Sequence, residues 1–114
     1  MPVNAEYLDY ILGQISSLGN VTCKRMFGGI GLYQAGTFFA LIDDDLLYFK
    51  VDDITRDDYT TVEMEPFRPF GDQGLTMPYY EVPESVLTDT EKLRDWALKA
   101  VDVALRAKKK KKRR

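Results

Sequence analysis

The sequence has no histidine and a single cysteine, Cys23. Histidine is the commonest general base and the commonest imidazole metal ligand. Without it, neither a Ser-His-Asp nor a Cys-His nucleophilic arrangement can be assembled. A zinc site of cysteines and histidines fails for want of ligands. One cysteine permits no intrachain disulfide. No apolar run reaches the length of a bilayer-spanning helix. Met1-Pro2-Val3-Asn4-Ala5-Glu6 shows no basic stretch leading into an apolar one. From these absences we expect a cytoplasmic protein with no membrane contact, no cofactor, no metal and no catalytic residues. An enzyme using carboxylates or Cys23 is the remaining catalytic alternative, since Lys24 and Arg25 favour a thiolate. The plainer reading of Cys23 is a small buried hydrophobe.

What is present fits one domain. A chain of 114 residues, 45% apolar and 30% charged, can bury one modest core. Charge is unevenly placed. Eight of the 16 basic residues fall in the last nine positions, where there is no acidic residue. Residues 1–105 hold eight basic and 18 acidic groups, a balance of −10. The reading is a domain over 1–105 and a basic, disordered tail over 106–114. An acidic body argues against a broad nucleic-acid-binding face on the folded part.

Leu8, Ile11, Leu12, Ile15 and Leu18 recur at helical spacing, with Asn4 as cap and Gly19-Asn20 as stop. Val21 to Phe27 reads as a strand that Gly28-Gly29 interrupts, and Gly31 to Tyr33 as its continuation. Gln34-Ala35-Gly36-Thr37 reads as a hairpin turn. Phe38 to Ile42 is apolar on both faces, as in a covered central strand. Asp43-Asp44-Asp45 is a turn, and Leu46 to Val51 a strand with Leu47, Phe49 and Val51 on one face. Asp52-Asp53 caps a short helix to about Tyr59. Glu65 to Gly71 is an extended, proline-bounded segment, and Thr76 to Val82 the last strand. Thr88-x-x-Glu91 is a capping box for a long helix with Leu93, Trp96, Ala97, Ala100, Val101, Ala104 and Leu105 on its apolar face. The fold class is α+β: a two-layer, mainly antiparallel sheet of about five or six strands, flanked by an N-terminal helix, a short middle helix and a long C-terminal helix.

Several segments invite a functional reading beside a plain one. Gly28-Gly29-Ile30-Gly31 could cradle a phosphate, but it lacks the Gly-Lys-Ser/Thr ending and following helix of a P-loop; a kink between strands is the plainer reading. Arg25 is a surface anchor for an anion or an ordinary strand charge. Asp43-Asp44-Asp45 lacks the alternating ligands of a calcium loop. Asp57, Asp58, Glu63 and Glu65 read as a solvated face. Tyr48, Tyr79 and Tyr80, with Lys50, are candidates for a partner surface. Lys108, Lys109, Lys110, Lys111, Lys112, Arg113 and Arg114 either attract nucleic acid without sequence preference or only solubilise the chain.

Five segments, in order, carry a resemblance. Arg25-Met26-Phe27-Gly28-Gly29-Ile30-Gly31-Leu32-Tyr33 resembles the signature of the TfoX/Sxy N-terminal domain. Gly36 to Ile42, Asp45 to Asp52, Met77-Pro78-Tyr79-Tyr80-Glu81-Val82-Pro83 and Leu93-x-x-Trp96-Ala97-x-x-Ala100 are similar to its later strands and last helix. The resemblance implies a regulatory, non-enzymatic domain of the kind associated with natural transformation competence, acting as a transcriptional co-regulator. It also implies a fold similar to type III secretion chaperone-like domains, which dimerise through the sheet. Longer members carry a second, helical domain where this chain has its Lys/Arg run, so the chain reads as the N-terminal domain alone. The expectation is a homodimer that binds an unnamed protein partner, with nucleic acid attracted to the tail. A stand-alone adaptor unrelated to transcription is the alternative.

Overall fold

The computed structural model describes residues 4–26, 29–68 and 77–112. Phe27 and Gly28 of the glycine motif, 69–71 of the proline-bounded segment, Thr76, Arg113 and Arg114 lie outside the described residues, as do the side chains of Lys110, Lys111 and Lys112.

The chain begins with α1 (Ala5–Gln14), whose cap Asn4 accepts the Glu6 N–H at 2.7 Å. A 3-10 turn, Ser16–Leu18, follows, and Gly19 and Asn20, both at positive φ, reverse the chain. Six strands come next: β1 (Val21–Met26), β2 (Gly29–Gln34), β3 (Thr37–Asp43), β4 (Leu46–Lys50), β5 (Pro66–Phe67) and β6 (Met77–Glu81). They form one antiparallel sheet in the order β1-β2-β3-β4-β6-β5. The short helix α2 (Arg56–Thr60) lies between β4 and β5; α3 (Glu84–Leu87) and α4 (Thr90–Lys112) close the chain. All four helices send residues into one core on one side of the sheet: Ile11, Tyr59, Val86, Leu93, Ala97, Ala100 and Ala104 meet Ile30, Leu32, Ile42, Leu47 and Phe49. This is the expected two-layer α+β arrangement.

The apolar run Phe38 to Ile42 owes its placement to a bulge. Tyr33 pairs with Phe38 and Leu32 with Ala40, so Phe39 is an extra residue in β3. The alternation of faces slips by one there. Phe39, Ala40 and Ile42 all enter the helix-side core, while Phe38 and Leu41 join a second cluster on the opposite face. The turns behave as their residues suggest. Ala35 and Gly36 both have positive φ, as do Asp44 and Asp45, which matches the two-residue turns favoured between twisted strands.

Local chemistry shifts several expected boundaries. The cap of α4 is Asp89, not Thr88: its Oδ1 accepts the Lys92 N–H at 3.2 Å, while the Thr88 hydroxyl donates back to the Glu84 carbonyl at 3.0 Å and ends α3. Asp52 closes a turn rather than capping α2. Its Oδ1 accepts the N–H groups of Ile54 (3.0 Å) and Thr55 (2.8 Å), and the helix starts one residue later. Leu105 leaves the apolar face of α4 and is 42% exposed, whereas Val103 is buried. α4 continues through the first part of the basic run, as far as Lys112. Lysine and arginine are good helix formers, and extending an existing helix avoids the cost of nucleation.

Gly29 does not interrupt the sheet; it is the first residue of β2 and pairs with Met26. Neither Gly29 nor Gly31 has a positive φ, so their role is steric. A Cβ on Gly29 would collide with the Ile42 carbonyl oxygen, a rigid backbone atom. A Cβ on Gly31 would sit 2.7 Å from the terminal methyl of Met26, the far end of a flexible side chain, and 3.0 Å from the Phe38 ring. Gly29→Ala should therefore destabilise the domain by about 2–3 kcal/mol, the upper part of the overpacking range, and Gly31→Ala by about 1 kcal/mol. Urea denaturation of the two variants checks the order; equal losses would refute the steric account.

Candidate functional site

Because the helices lie on one side, the other face of the sheet is free of any helix among the described residues. It carries a chain of ring contacts: Tyr33 to Phe38 at 5.2 Å, Phe38 to Tyr79 at 5.5 Å, and Tyr48 edge-on to Phe67 at 5.1 Å. Leu41, Phe67 and Tyr79 are its buried members. Tyr80 is not part of this strip. It pairs with Phe49, faces the helices and meets the Tyr59 ring at 6.0 Å, because successive residues of β6 point to opposite faces. Tyr79 is only 3% exposed, and the Lys50 ammonium stands 5.0 Å from its ring centroid.

Two grooves flank the strip at opposite ends of β3. The first, about 360 Å³, is acidic: Asp43, Asp44, Glu65 and Glu81 line it with Tyr48 and Arg68. Burial pushes the Tyr48 phenol up to about 12, helped by the carboxylates of Glu81, Asp43, Asp44 and Glu65, so the ring keeps its proton at physiological pH. Burial and the neighbouring Glu65 raise Glu81 above the usual carboxylate value. The coupling of Glu65 to Glu81 was invisible in sequence, where the two lie 16 positions apart. Glu65 also pairs with Arg68 at 3.8 Å.

The second groove, about 350 Å³, lies at the rim where the β2–β3 turn, the end of β4 and the start of β6 meet α4. Gly36, Thr37, Phe38, Lys50, Tyr79, Ala104, Ala107 and Lys108 line it, with no carboxylate among the described residues. The structure thus brings Lys50 and Tyr79, expected on a partner surface, together with Lys108 from the basic run. Lys109 is exposed beyond it. Arg106 is braced instead: it pairs with Asp52 and Asp102, each at 3.1 Å. Asp52 is held below the usual carboxylate range, first by the Thr55 backbone N–H, then by those of Ile54 and the Thr55 hydroxyl, with Arg106 adding to them against the effect of burial. One carboxylate so ties the β4–α2 turn to α4.

The remaining candidates are dispersed. Arg25 and Cys23 are exposed on the edge strand β1, which corrects the expectation of a buried thiol. Met26 packs near Gly31. β2 is an internal strand, so Gly29 and Gly31 sit in its ladders rather than around an anion. Asp58 pairs with Lys99 at 3.3 Å. Among the described residues, no group of three or more cysteines and carboxylates is placed to hold a metal, and no helix is long and apolar enough to cross a membrane.

The sequence model of the TfoX N-terminal domain matches residues 13–104. The chain belongs to the TfoX N-terminal domain family. A comparison with curated proteins finds no match. The TfoX N-terminal domain is a competence-related regulatory domain and not a known enzyme family. The matched span includes both grooves' strand residues and ends at Ala104, before Ala107 and Lys108.

Two outcomes follow from the site's electrostatics and exposure. The folded state binds the Glu81 proton more tightly than the unfolded chain does, so stability falls as pH rises from the ordinary carboxylate value through the raised one. Glu81→Gln should raise the melting temperature at pH 7, a gain under about 1 kcal/mol for a partly exposed group, and change nothing near pH ~3. Thermal melts at both pH values decide this. Separately, Cys23 should react stoichiometrically with a maleimide in the native protein, at a rate near that in denaturant. Protection by more than about tenfold would contradict its exposure.

Proposed function

We propose that this TfoX-type domain is a regulatory binding module that works through protein contacts on the helix-free face of its sheet, as a homodimer, with its basic helix end attracting nucleic acid. The observation that carries this reading is the strip of Tyr33, Phe38, Tyr48 and Phe67 on a face that no described helix covers. Aromatic side chains ringed by polar groups are the usual composition of an interface core. Charged groups at the two ends of β3 supply such a rim. Regulation by contact needs neither a nucleophile nor a metal, which suits a chain without histidine. The lysine run supplies a second, sequence-blind attraction for phosphates.

Sedimentation velocity tests the dimer. Wild-type protein at tens of micromolar should sediment as a dimer, and Tyr48→Arg as a monomer. The arginine is tolerable to the fold because Asp43, Asp44, Glu65 and Glu81 surround the position. A monomeric wild type across the whole concentration range would refute sheet-mediated dimerisation.

A further inference from the structure

We infer that the open edge of the sheet, strand β1, receives an extended acidic segment of a partner protein as an added strand. This contact goes beyond the one proposed for the sheet face, because it uses the backbone at the rim of the sheet. β1 is the terminal strand in the order β1-β2-β3-β4-β6-β5, so one side of it pairs with no strand among the described residues. The register tells which residues point there. Val21 stands opposite Gln34, and the Ala35 N–H donates to the Asn20 carbonyl at 3.0 Å. Asn20 and Ala35 are therefore opposed at a hydrogen-bonded position, and in an antiparallel ladder such positions alternate with non-bonded ones. Thr22, Lys24 and Met26 direct their N–H and C=O groups to β2. Those of Val21, Cys23 and Arg25 point outward, each residue offering one donor and one acceptor. Among the described residues no hydrogen bond from another loop or helix reaches these groups. Thr22 to Arg25 are all exposed, so the row is open to an incoming chain.

The side chains select the occupant. Lys24 and Arg25 are neighbours on a strand with no acidic residue, in a body where acidic groups outnumber basic ones 18 to eight. Neither makes an ion pair among the described residues, whereas Arg56, Arg68 and Lys99 each do. They flank the edge from opposite faces: Arg25 is opposite Ile30, a member of the helix-side core, and Lys24 is on the other face. Edge cations of this kind oppose pairing with a second copy. The antiparallel register that overlaps the whole strand would put Cys23 opposite its own equivalent. The two Lys24 side chains would then be diagonal neighbours on one face, about 7–8 Å apart, with like charge. An acidic strand meets the same two cations with opposite charge, and each such cross-strand pair adds to the backbone bonds. Nucleic acid fits this edge less well. The outward carbonyls of Val21, Cys23 and Arg25 call for N–H donors, which a phosphate backbone lacks. An extended peptide supplies donors and acceptors in alternation, as in other sheets that accept a strand.

The test is fluorescence anisotropy of a labelled peptide, Ile-Glu-Glu-Val-Thr-Val, against the full chain. In antiparallel register its two glutamates face Arg25 and Lys24, and the valine that follows them faces Cys23. N-methylation of that valine keeps the charge but removes the N–H aimed at the Cys23 carbonyl, and should weaken binding by about tenfold or more. Equal binding of the two peptides would mean attraction to charge alone, at the lysines of α4 as readily as at β1, and overturns the inference. A peptide with lysine in place of both glutamates should also bind about tenfold more weakly. The double variant Lys24→Glu, Arg25→Glu should reverse that preference, and a preference left unchanged overturns the acidic assignment. Cys23→Pro removes an outward N–H where an edge strand tolerates proline, so it should fold and lose the peptide. If it does not fold, the N-methylated peptide makes the same test from the other strand. Tyr48→Arg should bind the peptide as wild type does. A monomeric wild type that binds the peptide refutes the sheet-face dimer and leaves the edge inference standing; a dimeric wild type that does not bind it does the reverse. If sedimentation shows a dimer that Cys23→Pro abolishes and Tyr48→Arg does not, the occupant of the edge is a second copy and the inference is wrong. Circular dichroism melts confirm that each variant is folded.

Discussion

Everything else in this fold depends on how closely α4 lies against β3 and β4. Ala97, Ala100 and Ala104 are buried on the helix face that meets the sheet, with Leu93 and Val101 on either side. Methyl-sized side chains let the helix axis approach, and the space is filled from the sheet by Phe39 and Phe49, whose rings are 6.0 Å apart. That division, small on the helix and large on the strands, requires both Phe39 and Ala40 to face the helix. Only the bulge in β3 permits it. Larger residues at the alanine positions would lift the helix off the sheet and open the core that α1, α2 and α3 share. The same approach has a second result. A helix pinned along its first four turns can carry its last two past the edge of the sheet in a fixed direction, and the Asp52–Arg106 pair secures the point of departure.

The electrostatics follow from the turns. The β3–β4 turn is built from aspartates because Asp tolerates the left-handed conformation that Asp44 and Asp45 adopt. The β2–β3 turn uses Ala35 and Gly36 and contributes no charge. β3 has seven residues, so the two turns stand about 20 Å apart at roughly 3.4 Å per residue. At that separation, beyond two Debye lengths at physiological salt, the charges of the acidic groove are largely screened from the other.

This difference marks what sequence can show. Elements with a clear period were legible: the stripe through Ile11 and Ile15, the alternation Leu47-Phe49-Val51 and the alanine face of α4 are all in the observed core. Short-range competition was not. Thr88 and Asp89 both suit a cap, and only the geometry of α3 assigns Thr88 to the end of one helix and Asp89 to the start of the next. Tyr79 and Tyr80 looked alike until pairing with Lys50 and Phe49 put them on opposite faces. Cys23 has the composition of a core residue but is exposed on the edge strand β1. The rim groove draws on residues 36–38, 50, 79, 104, 107 and 108. No spacing rule links such positions; they meet only once sheet order and helix direction are known.

The helix end has a property of its own. Past Ala104 there is no buried residue of α4 among those described, so the sequence there is under no packing constraint. Lys108 and Lys112 are four apart on one helix, and Lys108–Lys111 and Lys109–Lys112 three apart, all of like charge. Each such pair costs a few tenths of a kcal/mol in an isolated helix, while cations near the carboxyl end recover a similar amount from the helix dipole. The balance is close to zero. A polyanion laid along the helix would cancel the repulsion and leave the favourable terms, so binding and helical order reinforce one another.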